Sequence, residues 1–370
     1  MIRLFHRIGK AVLALALCAL LVCTAASPAF AAPEKGPLQV GVVSDIHYYS
    51  EKCTGNWCDA FMQFADGSAY QRYETPGLLD SALAALAAHA AENGMRYVLL
   101  PGDLTANGEY DNHVELAEKL EAFEQETGLQ VIVTNGNHDI NNYVGFTFEN
   151  GKRESARITT PEEFREIYQN LGFDLAYHTY TPKKGKAGML SYSVRLDGGY
   201  RLIVLDVNKY SADITTNGKD SHQTEGTITN ALLEWALDEI KDAQRCGETP
   251  IGMEHHSLVE HFKLESTLFK SFLIDCWRER AEALADAGLH FMITGHMHDT
   301  SITDWVTDKG NVIYDISTTS LTWFPNTFRE ICFDNTGSNL TADVQTFDVD
   351  CVKPVTVRGE TFTQPYSPFS

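Results

Sequence analysis

Apolar residues in this chain fall into short continuous runs, separated by longer stretches whose apolar positions recur on one helical face. The runs Leu38–Ser44, Arg96–Leu100, Leu129–Thr134, Tyr200–Leu205, Pro250–Met253 and Leu289–Thr294 predict β-strands. The intervening stretches predict helices over Leu78–Asn93, Asn112–Gly128, Thr229–Cys246 and Leu273–Gly288. Gly94 marks a C-terminal stop for the first helix, and Leu232, Leu233, Trp235, Ala236 and Ile240 share one face of the third. Strands alternating with helices are the signature of an α/β fold.

Beyond Asp299 the texture changes. Segments around Trp305, Val312–Ile316, Phe328–Phe333 and Leu340–Val349 read as strands joined by turns at Asp308-Lys309-Gly310 and Asp334-Asn335-Thr336-Gly337. They are expected to form an antiparallel set closing a second sheet. Residues 351–370, with Pro354, Pro365 and Pro368, read as a loose tail. Two stretches read as long loops, Tyr48–Thr75 and Ile140–Met189. The aromatics of the first (Trp57, Phe61, Phe64, Tyr70, Tyr73) are expected to pack as a satellite core.

The beginning of the chain is separate from the fold. Arg3, Arg7 and Lys10 precede an apolar run from Ala11 to Ala26, followed by Ala29-Phe30-Ala31. This order predicts a signal peptide over residues 1–31 and a secreted, cell-surface or periplasmic protein from Ala32 onward. The run is shorter than the roughly 20 apolar residues that span a bilayer, so no stable membrane insertion is expected. Neither Cys18 nor Cys23 has the preceding residues of a lipidated cysteine. In the exported part Cys53, Cys58, Cys246, Cys276, Cys332 and Cys351 are even in number, which predicts disulfides, with Cys53 and Cys58 near enough to staple one loop. A formal net charge of −21 argues against nucleic acid or an anionic membrane as a broad partner. A small phosphorylated substrate stays compatible if bound cations supply local positive charge. Nothing in the chain specifies an oligomeric state.

The chemistry follows the strands. Their ends read Ser44-Asp45-Ile46-His47, Pro101-Gly102-Asp103-Leu104, Asn135-Gly136-Asn137-His138-Asp139, Glu254-His255-His256 and Thr294-Gly295-His296-Met297-His298. Any one of them is an ordinary turn. Together they place six of 13 histidines at strand ends, where α/β sheets gather functional groups. Residues two apart in extended chain project to one side, so Asp45 with His47, and His296 with His298, can reach one metal cluster. Glycines before Asp103, Asn137 and His296 let the backbone turn sharply. A carboxylate such as Asp103 can bridge two cations. An imidazole, carboxylate and amide donor set without thiolate favours Mn, Fe or Zn.

In this order and spacing the five motifs, spanning residues 45–298, resemble the calcineurin-like metallophosphoesterase superfamily. The resemblance implies a four-layer α-β-β-α sandwich of two mixed sheets, with the metal site at the carboxyl ends of the strands. It implies that Asp45, His47 and His298 hold one metal, that Asn137, His255 and His296 hold the other, and that Asp103 bridges them. His256 is the alternative to His255, because the family's His-His-Pro reads His255-His256-Ser257 here. His138 would be the non-ligand catalytic histidine, with Asp139 orienting it, and His261 a solvated helix residue. Ala106 stands where purple acid phosphatases carry their iron-binding Tyr, and protein phosphatases read Gly-Asn-His-Glu where this chain ends in Asp139. The pattern is closest to the cyclic-nucleotide and glycerophosphodiester phosphodiesterase-like branch. It implies hydrolysis of a phosphodiester by a hydroxide bridging the metals. A phosphomonoesterase is the alternative, while a binding protein that has lost catalysis is disfavoured because every ligand position is filled. Arg153, Tyr177, His178, Lys183 and Lys184 are further candidates for substrate contact.

Overall fold

A computed structural model describes residues 33–67, 74–210, 224–349 and 355–362. The signal-peptide expectation and Cys351 lie outside the described residues. No helix among the described residues is long and apolar enough to cross a membrane.

In chain order the first three strands are β1 (Leu38–Val42), β2 (Tyr97–Pro101) and β3 (Gln130–Thr134), followed by a small ribbon of β4 (Phe146–Thr147) and β5 (Glu154–Ser155). Next come β6 (Ala176–Thr179), β7 (Tyr192–Leu196), β8 (Tyr200–Leu205), β9 (Thr249–Glu254) and β10 (Phe291–Thr294). The last are β11 (Ser301–Val306), β12 (Val312–Ser317), β13 (Thr327–Asp334), β14 (Thr341–Asp348) and a ribbon of β15 (Val355–Val357) with β16 (Glu360–Phe362). One sheet has the order β14-β13-β1-β2-β3 and the other β11-β12-β10-β9-β8-β7-β6. Both are mixed. The pairs β1–β2 and β2–β3 are parallel and β1–β13 is antiparallel; β8–β9, β9–β10 and β10–β12 are parallel, with antiparallel edges.

The sheets face each other and helices cover their outer faces. Phe333 on β13 meets Phe291 on β10, ring centroids 5.5 Å apart, and the Tyr192 hydroxyl on β7 donates to the Val133 carbonyl on β3 at 2.6 Å. Alternation along the strands sorts the apolar residues. On β8, Leu202 and Val204 enter the core between the sheets, while Ile203 and Leu205 meet the outer helices Asn230–Arg245 and Trp277–Ala287 through Leu232, Ile240 and Leu284. On β1, Gly41 lies against Leu86 of the helix Thr75–Asn93, so Val40 and Val42 point inward. Gly94 closes that helix at φ 76°, and Thr229 caps Asn230–Arg245 by accepting from the Leu232 N–H. The result is the expected four-layer α-β-β-α sandwich.

Four expectations need correction. The C-terminal strands do not make one sheet: the β11–β12 hairpin extends the second sheet alongside β10, and the β13–β14 hairpin extends the first alongside β1. Both hairpins have an apolar face, and each sheet has an edge to fill. The stretch Ile140–Met189 is not one loop, since it contains β4, β5, the helix Pro161–Ile167 and β6. Part of the expected loose tail is ordered: Val357 is buried, and the Arg358 guanidinium donates to the Trp57 carbonyl and to Asp59. It closes the satellite core of Tyr49, Trp57, Phe61, Phe64 and Phe148. Finally, Cys53, Cys58, Cys246, Cys276 and Cys332 are free thiols. Cys53 is drawn into the aromatic cluster while Cys58 Sγ faces the Phe148 carbonyl at 3.9 Å, so the pair does not staple the loop.

Candidate metal centre

The five motifs converge where the carboxyl ends of the two sheets meet. Asp45 and His47 follow β1, Asp103 follows β2, and Asn137 to Asp139 follow β3, all in the first sheet. His255 follows β9, while His296 and His298 follow β10, in the second. Asp45, His47, Asp103, Asn137, His255 and His296 are all buried. Ligand atoms of Asp45, His47, Asp103 and His298 lie within 4.8 Å of one another, as do those of Asp103, His255 and His296. Asn137 joins the second group through its Oδ1, 3.1 Å from His255 Nε2. Asp103 belongs to both.

The backbone accepts strain to achieve this. Asp45 (φ 49°), His47 (φ 46°), Asp103 (φ 48°), His296 (φ 63°) and His298 (φ 55°) all adopt the left-handed region. A side chain there costs energy that only a function or a closely fitted surrounding sustains. The expected glycine turn occurs at Gly102, φ 94°. Gly136 has a different role: any Cβ on it would run into Asp103, so the glycine permits close approach rather than an unusual turn.

Backbone groups fix the side chains. The Asp45 N–H donates to the Gly102 carbonyl (3.2 Å) and the His47 N–H to the Asp103 carbonyl (3.0 Å). The His296 N–H donates to Asp45 Oδ2 (3.1 Å) and the His138 N–H to Asp103 Oδ1 (2.8 Å). His255 donates from Nδ1 to the Pro101 carbonyl at 2.8 Å, which aims Nε2 at Asp103 Oδ2, 3.4 Å away. The neighbouring His256 is turned elsewhere, donating from Nε2 to the Thr224 carbonyl at 2.7 Å. The geometry therefore places His255, not His256, in the cluster. His296 directs Nε2 to the Ser271 carbonyl (3.2 Å), leaving Nδ1 as its remaining ring nitrogen. Nε2 of His47 and of His298 stand 3.3 Å apart, and His298 Nε2 is 3.0 Å from Asp45 Oδ1.

Charge balance shows what the residues suit. Burial alone would raise the Asp103 carboxyl, but His255, His138 and His47 outweigh it and hold the group well below the usual range. Burial would lower His255, yet Asp103 and Asp45 push it up to about 9. Buried carboxylates thus demand positive charge at this point, which divalent or trivalent cations supply. With imidazole, carboxylate and amide donors in two clusters, the residues fit a pair of metal ions.

His138 and Asp139 separate in role. His138 directs Nδ1 at the Ala106 carbonyl (2.8 Å) and at Asn107 Oδ1 (3.1 Å), leaving Nε2 toward the cluster, 3.9 Å from Asp103. Asp139 does not orient it. Its buried carboxylate accepts from the N–H groups of Leu104 (3.1 Å), Thr105 (2.9 Å) and Gly136 (2.8 Å), clamping the β2 and β3 loops together. Burial, with Asp103 adding to it, pushes Asp139 up to about 7 against the pull of those N–H groups. Asn107 is the residue that sequence reasoning missed, because an Asn-Gly pair reads simply as a turn.

The further candidates lie elsewhere. Arg153 stacks on Phe146 at 3.6 Å in the satellite core, His178 pairs with Glu239 at 2.8 Å on the far edge of the second sheet, and Tyr177 lies under Arg195 and Arg201. Lys183 and Lys184 are exposed in the β6–β7 connection. His261 is no solvated helix residue: its side chain is buried 3.4 Å from Asp315.

Two facing mixed sheets bearing two ligand clusters that share one aspartate define a scaffold for binuclear metal hydrolysis. Residues 38–300 match the family model for calcineurin-like phosphoesterase, and the chain belongs to that family, whose members are metal-dependent hydrolases of phosphoric esters. Among solved structures it is similar to a dimetal phosphatase from Danio rerio (11% identity, TM-score 0.50, covering 85% of this chain and 99% of that one). Lower similarity is found to GAP50, the anchor in the inner membrane complex of Plasmodium (9% identity, TM-score 0.40, 90% of each chain). Similarity to phosphopantetheinyl hydrolase from Mycobacterium tuberculosis is at 13% identity and TM-score 0.35, covering 78% of this chain and 91% of that one. A comparison with curated proteins found no match.

Proposed function

We propose that this protein is an exported phosphodiesterase using two metal ions. The observation that carries the reading is the pair of ligand clusters joined at Asp103, with Nε2 of His138 beside them, 3.9 Å from that carboxylate. Asp45, His47, Asp103 and His298 would hold one ion, and Asp103, Asn137, His255 and His296 the other. When bound, the ions supply Lewis acidity toward the phosphate and lower the pKa of water. The protein's own groups do the rest. Asp103 and Asn137 fix the spacing of the two positions, and the left-handed backbone at five ligands pre-organises it. His138, held through Nδ1 by Ala106 and Asn107, directs Nε2 at the phosphate. There it stabilises charge growing on an equatorial oxygen or hands a proton to the departing alkoxide.

A diester is favoured over a monoester on charge. A diester carries one negative charge and a monoester close to two. Among the described residues, the side chains against the clusters beyond the ligands include Ser44, Asn107, His138, His256, Phe272 and Trp323, none with a fixed positive charge. Arg165 and Arg329, by contrast, are spent on the carbonyls of Met189, Ser301 and Ser317. The test combines metal quantification with rates on matched 4-nitrophenyl mono- and diesters. Two ions per chain and faster diester turnover are expected. Full activity in a rigorously metal-free preparation sinks the reading, and faster monoester turnover sinks the diester preference.

A further inference from the structure

The loop between β9 and the helix Trp277–Ala287 is anchored at both ends by buried Leu258, Val259, Leu273 and Ile274, but the stretch 261–269 between them is patterned the other way round. There the His261 side chain is buried against Asp315, and the buried Glu265 carboxylate accepts from the His261 N–H at 2.6 Å. Four apolar residues of the same stretch face out beside the exposed Lys263 and Thr267, with Phe262 40%, Leu264 53%, Leu268 66% and Phe269 47% exposed. Leu264 also sits at φ 75°, so an exposed leucine is held in a conformation that costs a side chain energy. Burial normally selects the opposite arrangement, and a contiguous exposed apolar patch marks a binding surface.

This patch leads to the metal centre. The rings of Phe262 and Phe269 lie 5.7 Å apart, Phe269 and Phe272 6.2 Å, and Phe272 and the candidate ligand His296 5.1 Å. On the other side Trp323, 40% exposed, stands 5.2 Å from His298, and Phe324 beside it is 55% exposed. Each of the two cluster histidines on the β10 loop therefore has an aromatic wall, and one wall continues outward as an apolar track.

We propose that this track, with Trp323 and Phe324 opposite, is the subsite for the organic group of the ester, and that this group is a long apolar chain. The inference rests on the phosphoesterase reading for its phosphate position and on the inverted loop for its chemistry. The group would extend from the phosphate past Phe272 onto Phe269 and Leu268, exchanging water on both surfaces for contact.

The test uses the full metal-loaded chain and 4-nitrophenyl alkyl phosphodiesters of methyl, butyl and octyl alcohol, which share one leaving group. Burial of each methylene is worth roughly fourfold in affinity. Burying even three of the seven added methylenes should lower KM about fiftyfold from methyl to octyl, with kcat little changed. In the double variant Leu268→Ser, Phe269→Ser the octyl-to-methyl ratio should collapse toward one while the thermal unfolding midpoint stays in place. Calorimetric binding of methyl- and octylphosphonate reads the subsite without turnover. Tighter octyl binding with no ester hydrolysed upholds the subsite and sinks the hydrolase reading. Turnover without chain-length dependence upholds the hydrolase and overturns the subsite. Sedimentation with phosphatidylcholine vesicles, lost in the double variant, would assign the chain to a membrane lipid. Chain-length dependence without sedimentation would assign it to a free ester.

Discussion

At the scale of single residues, three neighbours in one loop have three different jobs. Asn137 offers an oxygen to the second cluster, His138 offers a ring nitrogen to substrate, and Asp139 faces backward to bind the loop's own backbone. Asp103→Asn removes the carboxylate shared by both clusters, so hydrolysis of an activated diester should be lost and metal analysis should show fewer than two ions per chain. His138→Ala should keep both ions yet lower kcat by roughly a hundredfold or more. Asn107→Ala, which removes one of the two acceptors holding His138 Nδ1 and leaves the Ala106 carbonyl, should fall between that variant and the wild type. Full metal loading with normal turnover in all three would remove the assigned roles.

His113 gives a pH prediction at the same scale. It is buried, takes the Tyr168 hydroxyl on Nδ1 (2.8 Å) and donates from Nε2 to the Asp139 carbonyl (2.9 Å). Burial pushes it down to about 3 in the folded protein, against 6.5 when exposed. Between those values the unfolded chain holds the extra proton. Stability is complete above pH 6.5 and falls as pH drops toward about 3, by up to about 1.4 kcal/mol per pH unit from this group. Denaturant titrations across that range should show a shallower loss in His113→Gln than in the wild type. Equal slopes would exclude His113 as the source.

At the scale of elements, the clearest dependence is between β8 and the helix Asn230–Arg245. Arg201 on β8 has no exposed surface and lies among Glu239, Asp242 and Glu248, with its guanidinium 4.2 Å from the Tyr177 ring. Arg201→Ala removes the guanidinium shared by all three carboxylates, leaving them the more exposed His178, Arg195 and Arg245, and should cost up to about 3–5 kcal/mol of stability. Chemical denaturation measures this, and a cost under 1 kcal/mol would mean the carboxylates take protons instead. Because β6, β7 and β8 lie on the side of the sheet away from β10, the metal content of the surviving folded fraction should be unchanged. The element scale also shows why hairpin partners were not legible. Phe328–Phe333 alternates as a strand in any sheet, and only the open edge of β1 selects its neighbour.

At the scale of the whole molecule, the expected cleavage after Ala31 makes a direct prediction: N-terminal sequencing of the exported protein should begin at Ala32. Alkylation of the unreduced, unfolded protein should label Cys53, Cys58, Cys246, Cys276 and Cys332, since each is a free thiol in the fold. Labelling of only some would point to disulfides formed outside this arrangement.

The sequence by itself determined the strand-and-helix alternation, the stop at Gly94 and the residue types at all five strand ends, because each is set by local periodicity and side-chain chemistry. Only the tertiary structure decided what depends on distant contacts. It turned His255 inward through Pro101 and His256 away through Thr224, gave the orienting of His138 to Asn107 rather than Asp139, and brought Phe272 and Trp323 against the histidines. Adjacent residues share a sequence position but not a direction. Direction is fixed by which carbonyl or N–H a neighbouring loop presents, and that is known only once the two sheets have met.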